Sequence, residues 1–270
     1  MATSSKAWGA IRPSLADHSF YDIKTIVGLS GLDVGQLSHL VQVSGGMSGG
    51  ATKGQLMTAI DSAFGNMDVQ DRLNFVTFVT EELLRRNPGV QEQLEEHLSR
   101  HGWGVVDNCL VLLELFDPTG LAQLLDAPRT DLLKAAQRFR DGDLSGAISA
   151  ACGAVDTVTS AIYSECSLGD PTRASFQERC SRALEARKVL SDIEGQLREL
   201  AWDDTTLKTL SQNFKGALNQ GAYVMQTLRS NMGDVHGTKP ILKPLVFDVL
   251  KWAELFVRTL SSPCSSVIQR

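Results

Sequence analysis

No run in this chain reaches the ~18 to 20 uninterrupted apolar residues that a membrane span requires. The opening Met1-Ala2-Thr3-Ser4-Ser5-Lys6 has no apolar core of the kind a secretory signal carries. The expectation is a protein without a membrane partner that stays in the cytoplasm. Cysteine is sparse: Cys109, Cys152, Cys166, Cys180 and Cys264 include no CxxC pair, so buried, reduced thiols are expected rather than a disulfide framework. None of His18, His39, His97, His101 and His236 stands at an interval from a cysteine that would build a tetrahedral site, so no metal and no other cofactor is expected.

Basic residues are not in excess either. The 26 Lys and Arg against 31 Asp and Glu leave a net charge of −5, which excludes gripping nucleic acid by bulk charge. The deficit is uneven. Residues 1–130 hold nine basic against fifteen acidic residues, and residues 131–270 hold seventeen against sixteen. The second half therefore has room for local cationic ground. A phosphate-binding loop is missing too: the glycine-rich stretch Ser44 to Gly54 places Lys53 between Thr52 and Gly54, with no strand leading in. It reads as a linker with Thr52 capping the helix that follows.

What is present is helical periodicity. At 270 residues, 43% of them hydrophobic and 21% charged, the chain suits two ordinary globular domains. The first dozen residues are small and polar and read as frayed, with Pro13 marking the entry to order. Short helices follow, one with an apolar stripe of Ile23, Ile26, Val27 and Leu29, a second over Val34 to Val43, and a third with Leu56, Ile60 and Phe64. Asp71 to Arg86 shows a strong apolar face that includes Phe75, Phe78 and Leu83, stopped by Asn87-Pro88-Gly89. Val90 to Ser99 is amphipathic and ends at Gly102, with His97 and His101 as a surface pair. Cys109 to Phe116 is wholly apolar and fits a buried strand or a packed helix equally.

Asp117-Pro118-Thr119-Gly120 and Asp126-Ala127-Pro128 punctuate the chain, which places a helical N-terminal domain at 15–117, a linker at 118–130 and a second domain at 131–262. In that second domain a short helix with Leu132, Leu133 and Phe139 precedes four longer ones. Asp143 caps the first, whose stripe runs from Ile148 to Ile162. Ser175-Phe176-Gln177-Glu178 is a capping box for the second, which extends to Leu197. The third delivers the chain to Arg229, and the fourth carries Leu245 to Leu260. The predicted fold class is all-α, ending in an up-and-down four-helix bundle.

The chemistry-bearing stretch is Leu228-Arg229-Ser230-Asn231-Met232-Gly233-Asp234-Val235-His236-Gly237, at the junction of the third and fourth bundle helices. Arg229 and His236 are seven positions apart, so a helix running through both, or a chain turning back at Gly233, brings a permanent cation beside the one side chain that titrates near neutrality. Spacing alone equally allows a helix-end cation and a loop histidine.

Arg229 and His236 fit the R-x6-H motif of HEPN domains, all-helical bundles that carry it where their third helix gives way to the fourth. The wording from Leu228 through Gly237 and on into Val246 to Leu260 resembles the C-terminal domain of bacterial abortive-infection proteins. Asp141 to Ile148, with Ala154-Val155-Asp156 beyond, is similar to that family's opening helix, so the resemblance covers residues 130 to 262. It implies a metal-independent endoribonuclease toxin of a phage-defence system, leaving 2′,3′-cyclic phosphate ends and acting as a homodimer.

Under the resemblance His236 is the general base and acid, and Arg229 stabilises charge on the phosphate. Ser230, standing where the family commonly has asparagine, shares the helper role with Asn231. Asp156 matches the acidic residue that orients a basic partner, or is a solvated aspartate beside the stripe. Arg179 and Arg182 grip RNA or simply form a solvated face. Partners implied are RNA, a second copy, and an antitoxin or phage-derived trigger, with the N-terminal domain as sensor. The alternative is a non-catalytic HEPN-like module for nucleotide binding, partner binding or dimerisation.

Overall fold

Trp8, Ile11 and Leu15 sit at one helical spacing, and in the computed structural model they are buried on the inner face of helix α1 (Ser4–Ala16). The expected frayed start is thus core: the Trp8 ring stacks on Phe64 at 5.3 Å, and its indole Nε1 donates to Asp61 at 2.9 Å. Small residues at the surface of α1 hide the three large ones that decide its fate. The structure describes residues 4–42, 50–234 and 239–261. It is all-α, 75% helical, with twelve helices and one two-stranded sheet among the described residues. Two compact units divide it, residues 1–118 and 119–270.

In the first unit α2 (Phe20–Leu29), α3 (Lys53–Asn66), α4 (Val69–Arg86) and α5 (Gln91–Ser99) join α1 around one core. The helix expected over Val34 to Val43 is only a 3₁₀ turn, Val34–Leu37, and Val41 beyond it is exposed. Thr52 and Gln55 form a reciprocal capping box at the start of α3. Lys53 donates from Nζ to the carbonyls of Ala16 and His18, at 2.9 and 3.1 Å, and so closes the end of α1. Most of the glycine-rich stretch before it lies outside the described residues. The apolar run at Cys109 is a strand: β1 (Trp103–Val106) pairs antiparallel with β2 (Cys109–Leu112). Asp107 and Asn108 at φ 49° and 62° make the two-residue turn, whose left-handed backbone matches strand twist.

Residues 118–130, read as a linker, contain α6 (Pro118–Ala122) and the first turn of α7 (Asp126–Arg140). Asp126 opens α7 as a first-turn acid, so a Pro-containing stretch that reads as punctuation is a helix start.

In the second unit α8 (Leu144–Glu165), capped by Asp143 through the Gly146 amide, is the central helix. It packs against α7, α9 (Phe176–Ala186), α11 (Asp204–Met232) and α12 (Lys243–Ser261). The single helix expected from Ser175 to Leu197 is two, α9 and α10 (Val189–Glu199), broken at Lys188, which has φ 53°. Periodicity continues across the break because both pieces lie along α11, and a one-residue left-handed turn is invisible to a count of apolar spacings. Only half of the expected capping box forms: the Ser175 hydroxyl accepts from the Glu178 amide, while the Glu178 carboxylate pairs with Arg182. Beyond residue 188 only Val189 of α10 is buried, so the stripe read through Leu197 is not core. Gly221 of α11 lies against the Trp252 ring of α12, at a point where a Cβ would overlap the ring.

Candidate functional site

Three helices bring their charges together in the middle of the second unit. Cys152 and Asp156 are one turn apart on α8, and Met225 and Arg229 are one turn apart on α11. The Cys152 thiol touches the Met225 carbonyl at 3.9 Å, so the helices are close at that level. One turn on, Nη1 of Arg229 donates to Oδ2 of Asp156 at 2.6 Å. From the other side Nη2 of Arg179, on α9, donates to Oδ1 of the same carboxylate at 2.6 Å. The start of α9 is pinned to α11 by two bonds of Gln177: its amide donates to Oε1 of Gln226 at 3.1 Å and its side chain to the Asn219 carbonyl at 3.2 Å. That attachment fixes Arg179 two residues later.

One carboxylate thus serves two guanidiniums, leaving an excess positive charge in an acidic protein. The Arg179 side chain is 17% exposed and its Nε is buried with no hydrogen-bond partner among the described residues, whereas Arg229 is 41% exposed. Burial works against the Arg229 charge, but the hydrogen bond and charge of Asp156 outweigh it and raise the guanidinium pKa.

The end of α11 is fastened at a second point that the sequence did not reveal. After the cap Gly233, the Asp234 carboxylate accepts from the Ser149 hydroxyl of α8 and lies 3.4 Å from Nη1 of Arg138 on α7, and its amide donates to Ser149 at 3.2 Å. The Ser149 bond, with Arg138 assisting against some desolvation, holds the Asp234 carboxyl below the usual carboxylate range. Where the chain is described again, the Lys239 amide donates to the Asn231 carbonyl at 3.1 Å. No short motif spans Arg138, Ser149 and Asp234, which are neighbours only because α7, α8 and the end of α11 meet.

Of the residues expected at the site, Asp156, Arg179 and Arg229 come together, with Asp156 acting as the partner that orients a cation. Arg179 is committed to that carboxylate, not presented as a free grip. Arg182 is elsewhere on α9, in an exposed pair with Glu178 at 2.5 Å. Ser230 is exposed, and Asn231 bonds back to the Thr227 carbonyl at 2.7 Å. His236 lies outside the described residues. Cys166, expected buried, is exposed just past the end of α8, while Cys152 and Cys180 are buried. Among the described residues no group of three His, Cys, Asp or Glu could hold a metal, and no helix is long and apolar enough to cross a membrane.

No family model, curated protein or solved structure matches the chain.

Proposed function

We propose that the second unit is a metal-independent endoribonuclease in which Arg229 and His236 act on one phosphodiester. The observation that carries this reading is the Arg229 guanidinium: half-exposed, oriented through a single Nη by Asp156, and placed at the last turn of α11. No bond from another described residue engages its remaining N–H groups, which can meet phosphate oxygens as a fork. Asp234 bonds to Ser149 of α8 and the Lys239 amide to the Asn231 carbonyl of α11, so the described chain is anchored at this helix end both before and after the four residues that include His236.

Neutral His236 takes the proton of a ribose 2′-hydroxyl. The 2′-oxygen bonds to phosphorus, the bond to the 5′-oxygen breaks, and the imidazolium returns the proton to that leaving oxygen. Arg229 stabilises the charge gathered on the equatorial oxygens, and the product carries a 2′,3′-cyclic phosphate. The working form in this reading is a homodimer in the cytoplasm, restrained by an antitoxin or awakened by a phage-derived trigger acting through the first unit. The experiment is cleavage of end-labelled RNA by the full chain. Changing Arg229→Ala or His236→Ala should lower the rate at least ~100-fold, in the range of lost electrostatic or acid–base catalysis. A His236→Ala protein that cuts as fast as the unaltered chain defeats the proposal.

A second reading rests on the Arg179–Asp156–Arg229 bridge, in which one carboxylate offsets part of the charge of two guanidiniums. Such a pair can hold a nucleotide or partner phosphate without chemistry. It then predicts that Arg229→Ala weakens RNA or nucleotide binding and that no cyclic phosphate product forms with any variant.

A further inference from the structure

We propose that the cleft between α2, α3 and α4 of the first unit binds a small organic cation, an apolar or flat body carrying an ammonium, amidinium or guanidinium head. The cleft encloses about 480 Å³, inside the ~300 to 1,000 Å³ typical of small-molecule sites. Its charged lining is of one sign: Asp33 and Asp71 line it, and no lysine, arginine or histidine does. Asp33 spends Oδ1 on the Gly35 amide at 2.8 Å. No bond or ion pair from a described residue engages its Oδ2 or the Asp71 carboxylate. An anion entering here meets two carboxylates, and a cation is attracted by both.

The backbone adds to that sign. Helix α2 ends at this cleft with the amides of Ser30, Gly31 and Leu32 capping the carbonyls of Ile26, Gly28 and Val27, and with no basic residue in its last turn, so no side-chain cation of its own offsets the negative end of its dipole there. Helix α3 also ends here, but its last carbonyls are taken by Arg72, which donates to Phe64 at 3.1 Å and to Gly65 at 2.5 Å. Arg72 shows that a guanidinium is accepted at such a helix end, and it is not among the residues lining the cleft.

The apolar walls argue for an organic body over a bare ion. Leu29 and Phe78 belong by sequence to the inner stripes of α2 and α4, yet they are 64% and 46% exposed and both face the cleft. An occupant with an apolar body covers them, and the Phe78 face can receive a cation. Two carboxylates without a third ligand do not build a metal site, and among the described residues no cluster of three exists.

Every described residue that lines the cleft belongs to the first unit, so the inference stands apart from the nuclease reading. The test is isothermal titration of the full chain with benzamidine, benzyl alcohol and benzoate, which share a ring and differ in charge. Benzamidine should bind at least about tenfold more tightly than either of the others. Asp33→Asn and Asp71→Asn, which keep shape and the Gly35 cap, should each weaken benzamidine several-fold and together abolish measurable binding, with the circular dichroism spectrum unchanged. The idea fails if benzoate binds as well as benzamidine, if neither substitution alters benzamidine binding, or if millimolar benzamidine gives no heat.

Discussion

Asp156 joins Arg229 to Arg179: its two carboxylate oxygens lie 2.6 Å from a guanidinium nitrogen of each, so one side chain of α8 ties α9 to α11. Removing it leaves two partly buried cations facing each other. Asp156→Asn should therefore cost about 1 to 3 kcal/mol of stability, read as a lower urea midpoint at unchanged slope. Adding Arg179→Met to that variant should restore part of the loss, because the repulsion disappears with one cation. An unaltered midpoint in Asp156→Asn means the bridge contributes nothing.

Beneath the bridge the thiols are silent. Burial pushes Cys152 up to about 12, with Arg229 opposing and Asp156 reinforcing, and burial also raises Cys180. At pH 8 the Cys152 thiol is held in its protonated form, which does not alkylate readily. In native protein treated with iodoacetamide, mass spectrometry should find Cys166 modified and Cys152 and Cys180 untouched until urea is added. Equal labelling of Cys152 and Cys166 would show that the α8–α11 contact opens readily.

Glu82 gives the first unit an acid-labile contribution. The hydrogen bond from Arg85 is the largest influence; with Arg86 assisting and burial opposing, it takes the carboxyl from 4.5 to about 2. A depressed folded pKa means that the contribution is complete above the unfolded value and is lost as pH falls from about 4.5 through about 2. Arg85 is 68% exposed, so solvent screening holds the effect to about 1 kcal/mol. Glu82→Gln should be less stable than the parent at pH 7, and the two should converge by pH 2. A constant gap across that range excludes the linkage.

Gly221→Ala tests the seat of α12. Alanine is the better helix former by ~1 kcal/mol, yet its methyl would overlap the Trp252 ring. The net expectation is a loss of about 1 to 3 kcal/mol and a lower Tm. A gain in Tm would mean that Trp252 does not close on α11.

Leu29 and Phe78 show where periodicity stops being informative. Their spacing is that of core residues, but α2 ends at Leu29 and the cleft opens where Phe78 points, so both are exposed. The reverse holds at Trp8, which lies in a polar start and is nearly fully buried. Helix starts were legible because caps are local: Thr52, Asp143 and Ser175 each accept from an amide three residues on. The break at Lys188 was not, since a single left-handed residue leaves the apolar rhythm intact.

The sequence by itself determined that the chain is all-α, where most helices begin, and that Arg229 closes a long helix ahead of His236, because propensity, capping and amphipathic spacing act within a few residues. Only the tertiary structure decided that Asp156 binds Arg229, that Arg179 shares that carboxylate while Arg182 does not, and that Ser149 and Arg138 hold Asp234. Those partners are separated by 23 to 96 positions in the chain. What brings them together is the burial of the helix faces of α7, α8, α9 and α11 against one another, a cooperative effect that no local pattern encodes.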